Sequence, residues 1–402
     1  MAGLMAARRL LLLLPSVPVP ADAGAKLRNL GLVRALQGAR DWRVDAIAFG
    51  AADEQAALAA CTGSAACVVA PPRRAARQRV WDLLAGRPDM AARGWSAAFA
   101  AAVDDALRGG RYDLVQAEGI EMAPYLRRVP AGQRVYDAHN AEFLLQRRAS
   151  ALGGSLAGRL YSRLQWRRLE RFERALVQHS RLVLAVSEHD ANQLLALAGG
   201  QGRVCVVPNG IDVADYPLRS PAAETDPTLL LLGKLDFRPN GEAARWLIQS
   251  VLPGVFDQVP RARLFCVGAA PPAWLVRAGQ HDPRLAVTGY VADERPYLGR
   301  AMAMLLPLRL GGGTRLKALV AMASGVPIVS TRLGMEGLEA VADEHYLAAE
   351  TPAEWVHAVR CLADDAGLRQ RLATTARSLV EQRYDWRMIG PRLRAVYAEV
   401  VG

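Results

Sequence analysis

The run Pro307 to Thr331, PLRLGGGTRLKALVAMASGVPIVST, restricts the fold of this chain more than any other stretch. A short apolar strand leads into Gly311, Gly312 and Gly313, a helix follows, Ser324-Gly325 ends it, and Val326 to Ser330 forms the next buried strand. The unit is strand, glycine turn, helix, strand. At its turn, backbone N–H groups and the positive helix end converge where an anionic ligand fits. The same turn also serves simply to pack a helix onto a sheet, and a glycine-rich string by itself leaves both readings open.

Short apolar runs alternate with helical stretches along the rest of the chain, the pattern of parallel sheets in α/β domains. The first set of strand candidates is Arg9 to Leu14, Val44 to Phe49, Leu114 to Ala117, Arg134 to Asp137, Leu182 to Val186 and Val204 to Val207. The second is Thr228 to Leu232, Arg263 to Val267, Leu285 to Thr288, Ala303 to Leu306 and Ile328 to Ser330. Each set makes one doubly wound sheet, and such sheets bind ligands beyond the carboxyl ends of their strands, which puts the expected site in a cleft between two domains. Residues 1–212 form the expected first domain, 213–227 a linker rich in Pro, Ala and acidic residues, and 228–385 the second domain. A last amphipathic helix follows Tyr384-Asp385-Trp386 and occupies 386–402.

At 402 residues and 51% hydrophobic content the chain can bury two cores, and it has no low-complexity tract. Five cysteines, an odd number without paired zinc-type spacing, read as free thiols. The opening MAGLMAARRLLLLLPSVPVPADAG imitates a signal peptide, yet prolines interrupt it and it runs directly into a helical pattern; Arg9 to Leu14 is expected to be a buried strand of a cytoplasmic protein. Net charge is +11, and only Lys26, Lys234 and Lys317 are lysine. Each of the three stands in a glycine-containing segment, and a compact ammonium suits a phosphate in a narrow cleft. Chance survival in an arginine-biased composition is the competing explanation. From Leu156 to Gln178 the chain forms a long arginine-rich helix that either rests on an anionic membrane or is an ordinary surface helix, with Glu170 and Glu173 balancing part of the charge. No nucleic-acid-binding module accompanies the positive charge.

The string GGGTRLK-x-L-x-AMA-x-G-x-P-x-VST resembles the donor-binding segment of family 4 (group 1) glycosyltransferases, in particular a GGGTR-containing subgroup. PADAGAKLR (Pro20 to Arg28) resembles the family's first glycine loop, YDAHNAEF (Tyr136 to Phe143) the segment with its active-site histidine, and LAVSEHD and VVPNGID the paired signatures ending the N-terminal domain. LLLGKLDFRPNGEAARWL (Leu230 to Leu247) is similar to the opening of the donor domain, and the order of these landmarks is the family's order.

The resemblance implies the GT-B fold, an α/β architecture of two Rossmann-like doubly wound domains facing across a cleft, with the C-terminal helix crossing back to the first domain. It implies a retaining glycosyltransferase, of hexosyltransferase type, that needs no metal and moves a sugar from a nucleotide-sugar to a glycan or lipid-linked acceptor in bacterial polysaccharide or glycolipid assembly. It would work in the cytoplasm, in peripheral contact with the inner membrane face. No Asp-x-Asp pair stands where it could hold a metal against a diphosphate.

By the same resemblance His139, Lys234 and Arg238 are the catalytic candidates. His139 orients the donor sugar, Lys234 meets the diphosphate, and Arg238 stands in for the family's second lysine, whose place Asn240 takes. Donor binding falls to Gly24, Lys26, Gly233, Gly311, Gly312, Gly313, Thr314, Arg315, Lys317 and Val320. Residues two apart on a helix point nearly opposite ways, so Arg315 and Lys317 both reach a phosphate only if Arg315 lies in the preceding turn. Asn140 and Glu142 are expected to cap the helix after His139. Gly312 and Val320 occupy the places of two family glutamates, the second a ribose ligand. That departure favours one alternative, a binding or scaffold protein with a degraded donor site; a second is a nucleotide-sugar epimerase of related architecture, whose chemistry would use carboxylates and a histidine.

Overall fold

The computed structural model describes residues 7–21, 23–38, 41–150, 156–218, 227–310 and 315–402. They form two compact units, one of residues 1–210 with 386–402 and one of residues 211–385.

The first unit is built on a seven-stranded parallel sheet of β1 (Arg8–Leu14), β2 (Trp42–Phe49), β3 (Ala66–Val69), β4 (Leu114–Glu118), β5 (Arg134–Ala138), β6 (Leu182–Ala185) and β7 (Val204–Val206). Their spatial order is β3-β2-β1-β4-β5-β6-β7, with a crossover at β1, where the strand order reverses. The leucine run of β1 suits this central place because both faces of an interior parallel strand are covered. Leu10, Leu12 and Leu14 enter one core with Leu32, Leu36, Ile389 and Tyr397, while Leu11 and Leu13 enter the other with Phe99, Ile120 and Tyr125. The leucine run within the stretch that imitates a signal peptide is thus the middle of a sheet.

The C-terminal helix, Trp386–Val401, lies against the helix Gly24–Gln37 inside this unit. Gly31 makes that contact possible, since a Cβ there would fall 1.9 Å from Trp386 Cε2.

The second unit carries a six-stranded parallel sheet of β8 (Thr228–Leu232), β9 (Arg263–Val267), β10 (Leu285–Gly289), β11 (Ala303–Leu306), β12 (Ile328–Ser330) and β13 (Leu347–Ala348), ordered β10-β9-β8-β11-β12-β13. Its core pairs the strands with helices that include Ala366–Arg383 and the wholly buried stretch from Ala318 to Ala323.

Two strands escaped the sequence reading, β3 and β13. Both are sheet edges, four and two residues long, and only partly buried, so neither has the continuous apolar run of an interior strand. The expected linker is also corrected. Ile211 and Val213 are buried in the second unit's core, and Ile211 N donates to Tyr384 O at 2.9 Å, so the second unit begins at Ile211 and the chain is anchored there before it turns outward at Pro217 and Leu218. Among the described residues no helix is long and apolar enough to cross a membrane.

Candidate functional site

In the second unit the strand ends of β8 and β9 converge too closely for side chains. Gly233 has φ of 142° and Gly268 of 146°, and a Cβ on Gly268 would fall 2.0 Å from Gly233 O. A Cβ on Gly233 would meet Lys317 Nζ at 2.7 Å. Lys317 leaves the second residue of the helix Leu316–Ala323 and donates from Nζ to Asn240 Oδ1 at 2.9 Å. Asn240 Nδ2 in turn donates to Lys234 O at 2.8 Å. One amide therefore ties the ammonium of Lys317 to the backbone of the loop after β8. Burial, aided by the neighbouring charge of Arg315, pushes the Lys317 pKa down to about 8.

The other candidates of this unit are placed differently. Lys234 is 65% exposed, with Nζ 3.5 Å from Asp236 Oδ2. Arg238 opens the helix Arg238–Trp246 and is exposed. Arg315 is the residue immediately before the helix Leu316–Ala323, outside the helix body. Gly311, Gly312, Gly313 and Thr314 lie outside the described residues. Val320, expected to face a ribose, is 4% exposed and sits in the apolar core with Leu298, Tyr346 and Tyr384; at this position the structure shows packing in place of a polar contact.

In the first unit the helix that begins at Gly24 exposes that glycine at its start, and Lys26, two residues along, is half-buried. The next residues carry what the sequence reading missed. Arg28, 1% exposed, donates from Nε and Nη2 to both carboxylate oxygens of Asp137 at 2.8 and 2.7 Å, and from Nη1 to Val207 O and Asn209 Oδ1 at 3.0 Å each. Asn29 turns its amide nitrogen to Glu118 Oε2 at 2.8 Å, and Gln116 donates to Glu118 Oε1 at 2.5 Å. His139, just past the end of β5, places Nε2 3.2 Å from Glu118 Oε2. Gly119 beside the ring holds a left-handed φ of 77°, which favours glycine there, with its Cβ position 3.4 Å from His139 Nδ1.

Burial and the charge of Asp137 raise Glu118 to about 7, against the pull of His139. Burial works against the His139 imidazolium, but the hydrogen bond to Glu118 and the charge of Asp137 outweigh it and raise its pKa. For Asp137, burial is overcome by Arg28, which holds the carboxyl below its ordinary range. Glu118, Asp137 and His139 bring ligand atoms within 4.8 Å of one another, a spacing that suits a cation. Arg28 already occupies both oxygens of Asp137, so the cluster balances its charge with a guanidinium and an imidazole. A signal for it existed in the sequence: Glu118 and Asp137 are acidic residues at the carboxyl ends of strand candidates, Glu118 closing β4 and Asp137 one residue short of the end of β5.

The helix after His139, Glu142–Ser150, is not capped by its neighbours in sequence. Glu173, fully buried on the long helix Leu156–His179, accepts from the backbone N–H groups of Glu142 and Phe143 at 3.1 and 2.6 Å, and Asp190 Oδ1 accepts from Ala141 N at 3.1 Å. Asn140 donates to the Glu142 carboxylate at 2.8 Å, and burial lifts the Glu142 pKa to about 7. Glu173 is thus a cap from a distant element, and it does not balance the surface charge of its own helix.

Residues 23–215 match the family model described as Glycosyltransferase Family 4, and residues 226–365 match Glycosyl transferases group 1. The glycogen synthase of Mycobacterium tuberculosis (strain ATCC 25618 / H37Rv) is 28% identical over 242 residues, covering 58% of this chain; the chain spans 57% of the length of that curated relative. Among solved structures, sucrose-phosphate synthase from Thermosynechococcus elongatus superposes with a TM-score of 0.70 at 16% identity, covering 98% of this chain and 99% of that one. Anabaena HepE, solved in complex with UDP-glucose, gives 0.67 at 14% identity, covering 97% and 99%. WaaG, a glycosyltransferase involved in lipopolysaccharide biosynthesis, gives 0.67 at 16% identity, covering 98% and 100%. These structures share the two-domain Rossmann-like fold.

Proposed function

The chain belongs to the group 1, family 4 glycosyltransferases, and from that premise we propose that it is a retaining, metal-independent enzyme moving a sugar from a nucleotide-sugar donor to a glycan or lipid-linked acceptor. The observation that carries this reading is Lys317, a cation held by a neutral amide against the glycine-lined ends of β8 and β9. Departure of a nucleoside diphosphate builds negative charge that fixed cations must meet, and a cation kept from collapsing onto a carboxylate remains available for it. Lys234 and Arg238, exposed at the rim, and Arg315 add positive charge around the same loop.

Anabaena HepE, solved with UDP-glucose, supports a uridine or similar nucleotide donor. His139 orients the donor sugar, and its partner Glu118 fixes the ring. The metal is dispensable because lysine and backbone N–H groups do its work at the diphosphate, while the acidic cluster near His139 is already neutralised by Arg28. The acceptor is a glycan or a lipid-linked glycan, reached at the inner face of a membrane in peripheral contact.

Calorimetry with UDP, GDP, ADP and CMP tests the donor site: one nucleoside diphosphate binds, and its nucleoside binds far more weakly. Silence from all four would defeat the reading. Turnover of the matching nucleotide-sugar should persist in EDTA; activity that EDTA removes and magnesium restores would overturn metal independence. A scaffold with a degraded donor site is the second reading, favoured by Val320 in the core at the place of a ribose-binding glutamate. Absence of donor turnover despite nucleotide binding would select it.

A further inference from the structure

The first unit contains a groove of about 880 Å³ beside the helix Leu156–His179 that the proposed chemistry does not use. Along the helix, Leu164, Arg167, Arg168, Arg171, Phe172 and Ala175 recur at spacings of three and four and line one wall. Arg127, from the short helical turn Ala123–Arg128, and Trp95 close the other side. No Asp or Glu lines the groove. Among the described residues, Arg127, Arg167, Arg168 and Arg171 have no carboxylate within ion-pairing distance, although nearby Arg87, Arg128 and Arg174 do. Arg168 also buries Nη1 with no hydrogen-bond partner. Four like charges converging on one hollow without a counter-ion call for an anionic ligand.

The rim of the groove tells which kind. The helix Ala76–Leu84 ends where Ala85 and Gly86 line the groove, and it exposes Val80, Trp81 and Leu84 by 57, 67 and 74%. The long helix exposes Leu160, Tyr161 and Leu164 by 71, 47 and 40%, again at positions i, i+1 and i+4. Asp89 N donates to Gln165 Oε1 at 2.9 Å, which ties the two regions together. These two triplets are half of the twelve large apolar side chains that the described residues expose, so the exposure is concentrated at this groove. A soluble polyanion would use the arginines and leave the apolar triplets in water. An anionic lipid uses both, its phosphate in the groove and the rim in the acyl layer.

We propose that this groove is a binding site for the phosphate headgroup of an anionic membrane lipid, with Trp81, Leu84 and Leu160 inserted beside it. The proposal rests on the reading of peripheral membrane contact and names the surface and ligand that make it. It is independent of the donor site.

Cosedimentation of the full chain with vesicles of phosphatidylcholine, alone or mixed with phosphatidylglycerol, tests it. Binding is expected to the mixed vesicles only. Arg167→Ala with Arg171→Ala should weaken it by roughly 25-fold, about fivefold for each surface cation lost, and Arg167→Lys with Arg171→Lys should restore most of it. Trp81→Ala with Leu84→Ala should weaken it at least as much, and brominated lipid should quench Trp81 emission, read as the difference from Trp81→Phe. Equal binding to both vesicle types, or wild-type binding by the double alanine arginine variant, overturns the proposal. So does binding of soluble polyphosphate to the groove with vesicle binding unaffected by loss of Trp81 and Leu84. Calorimetry with nucleoside diphosphates on the same variants keeps the two readings apart: vesicle binding lost with nucleotide binding intact assigns the defect to the groove, and the reverse assigns it to the donor site.

Discussion

Each unit gathers ionic groups near its strand ends, and the two do so in opposite ways. In the first, Arg28, Asp137, Glu118 and His139 form a closed network in which carboxylates face a guanidinium and an imidazole. In the second, Lys317 donates to the neutral oxygen of Asn240, with the like charge of Arg315 beside it. A buried pair fixes structure, whereas a half-buried cation tied to a neutral amide can still meet an anion that arrives from outside. On the proposed function, the contrast separates residues that hold the fold from a residue that meets the donor.

The strongest way to break that contrast is Arg28→Ala. It leaves Asp137 buried beside Glu118 without its bidentate partner, and a loss of about 3–5 kcal/mol is expected in urea unfolding. A loss under about 1 kcal/mol would mean that the network holds no structure. Lys317→Ala is the counterpart in the second unit. It should leave stability unchanged or improved, since a desolvated cation is removed, while weakening nucleoside diphosphate binding by about 1.5–3 kcal/mol against a much smaller change for the nucleoside. Equal weakening of both ligands in calorimetry would remove Lys317 from the diphosphate.

His139→Ala sits between these extremes, because its ring is partly exposed while its partner Glu118 is buried. The transfer rate should fall by more than about tenfold with the melting temperature and nucleotide affinity nearly intact. A collapse in melting temperature with activity falling in proportion would make this histidine a structural one.

The smallest effect is a shift along the pH axis. Lys317 is cationic below about 8, so diphosphate affinity should decline as pH rises through that value. Between about 8 and the ordinary lysine value of 10.5 the unfolded chain still holds the proton that the folded chain has released, so this residue contributes rising stability over the same window. Affinity and stability therefore move in opposite directions. Asn240→Asp should carry the decline in affinity to higher pH by giving Lys317 a carboxylate, and an unshifted titration would show that Asn240 does not control the ammonium.

Much of the fold was legible because it is written in local periodicity. The leucines of β1, the strands at Arg134, Thr228 and Ile328, and the helix ending at Ser324-Gly325 all announce themselves within a few residues. The C-terminal helix showed its amphipathic face before its packing partner was known. The edge strands β3 and β13 were hidden because short, half-buried strands lack an apolar run.

The site divides along the same line. His139, Lys234, Gly233 and Lys317 were named from motifs, since strand ends and glycine turns are local features. Their partners were not. Arg28 meets Asp137 across 109 residues of chain and Lys317 meets Asn240 across 77, while Glu173 caps a helix 30 residues upstream. Composition and spacing do not encode such encounters, because which side chains face one another depends on how the sheet orders its strands.

By itself the sequence determined that this is a chain of two parallel α/β units bearing a glycosyltransferase's landmarks in order, because hydrophobic period and turn chemistry act over neighbouring residues. Tertiary structure alone decided that Asn240 serves as the anchor of a half-buried lysine, that Val320 packs in a core, and that four arginines share one groove without a carboxylate. Burial and electrostatic pairing arise between segments distant in the chain, and they acquire sign and magnitude only when the fold brings those segments together.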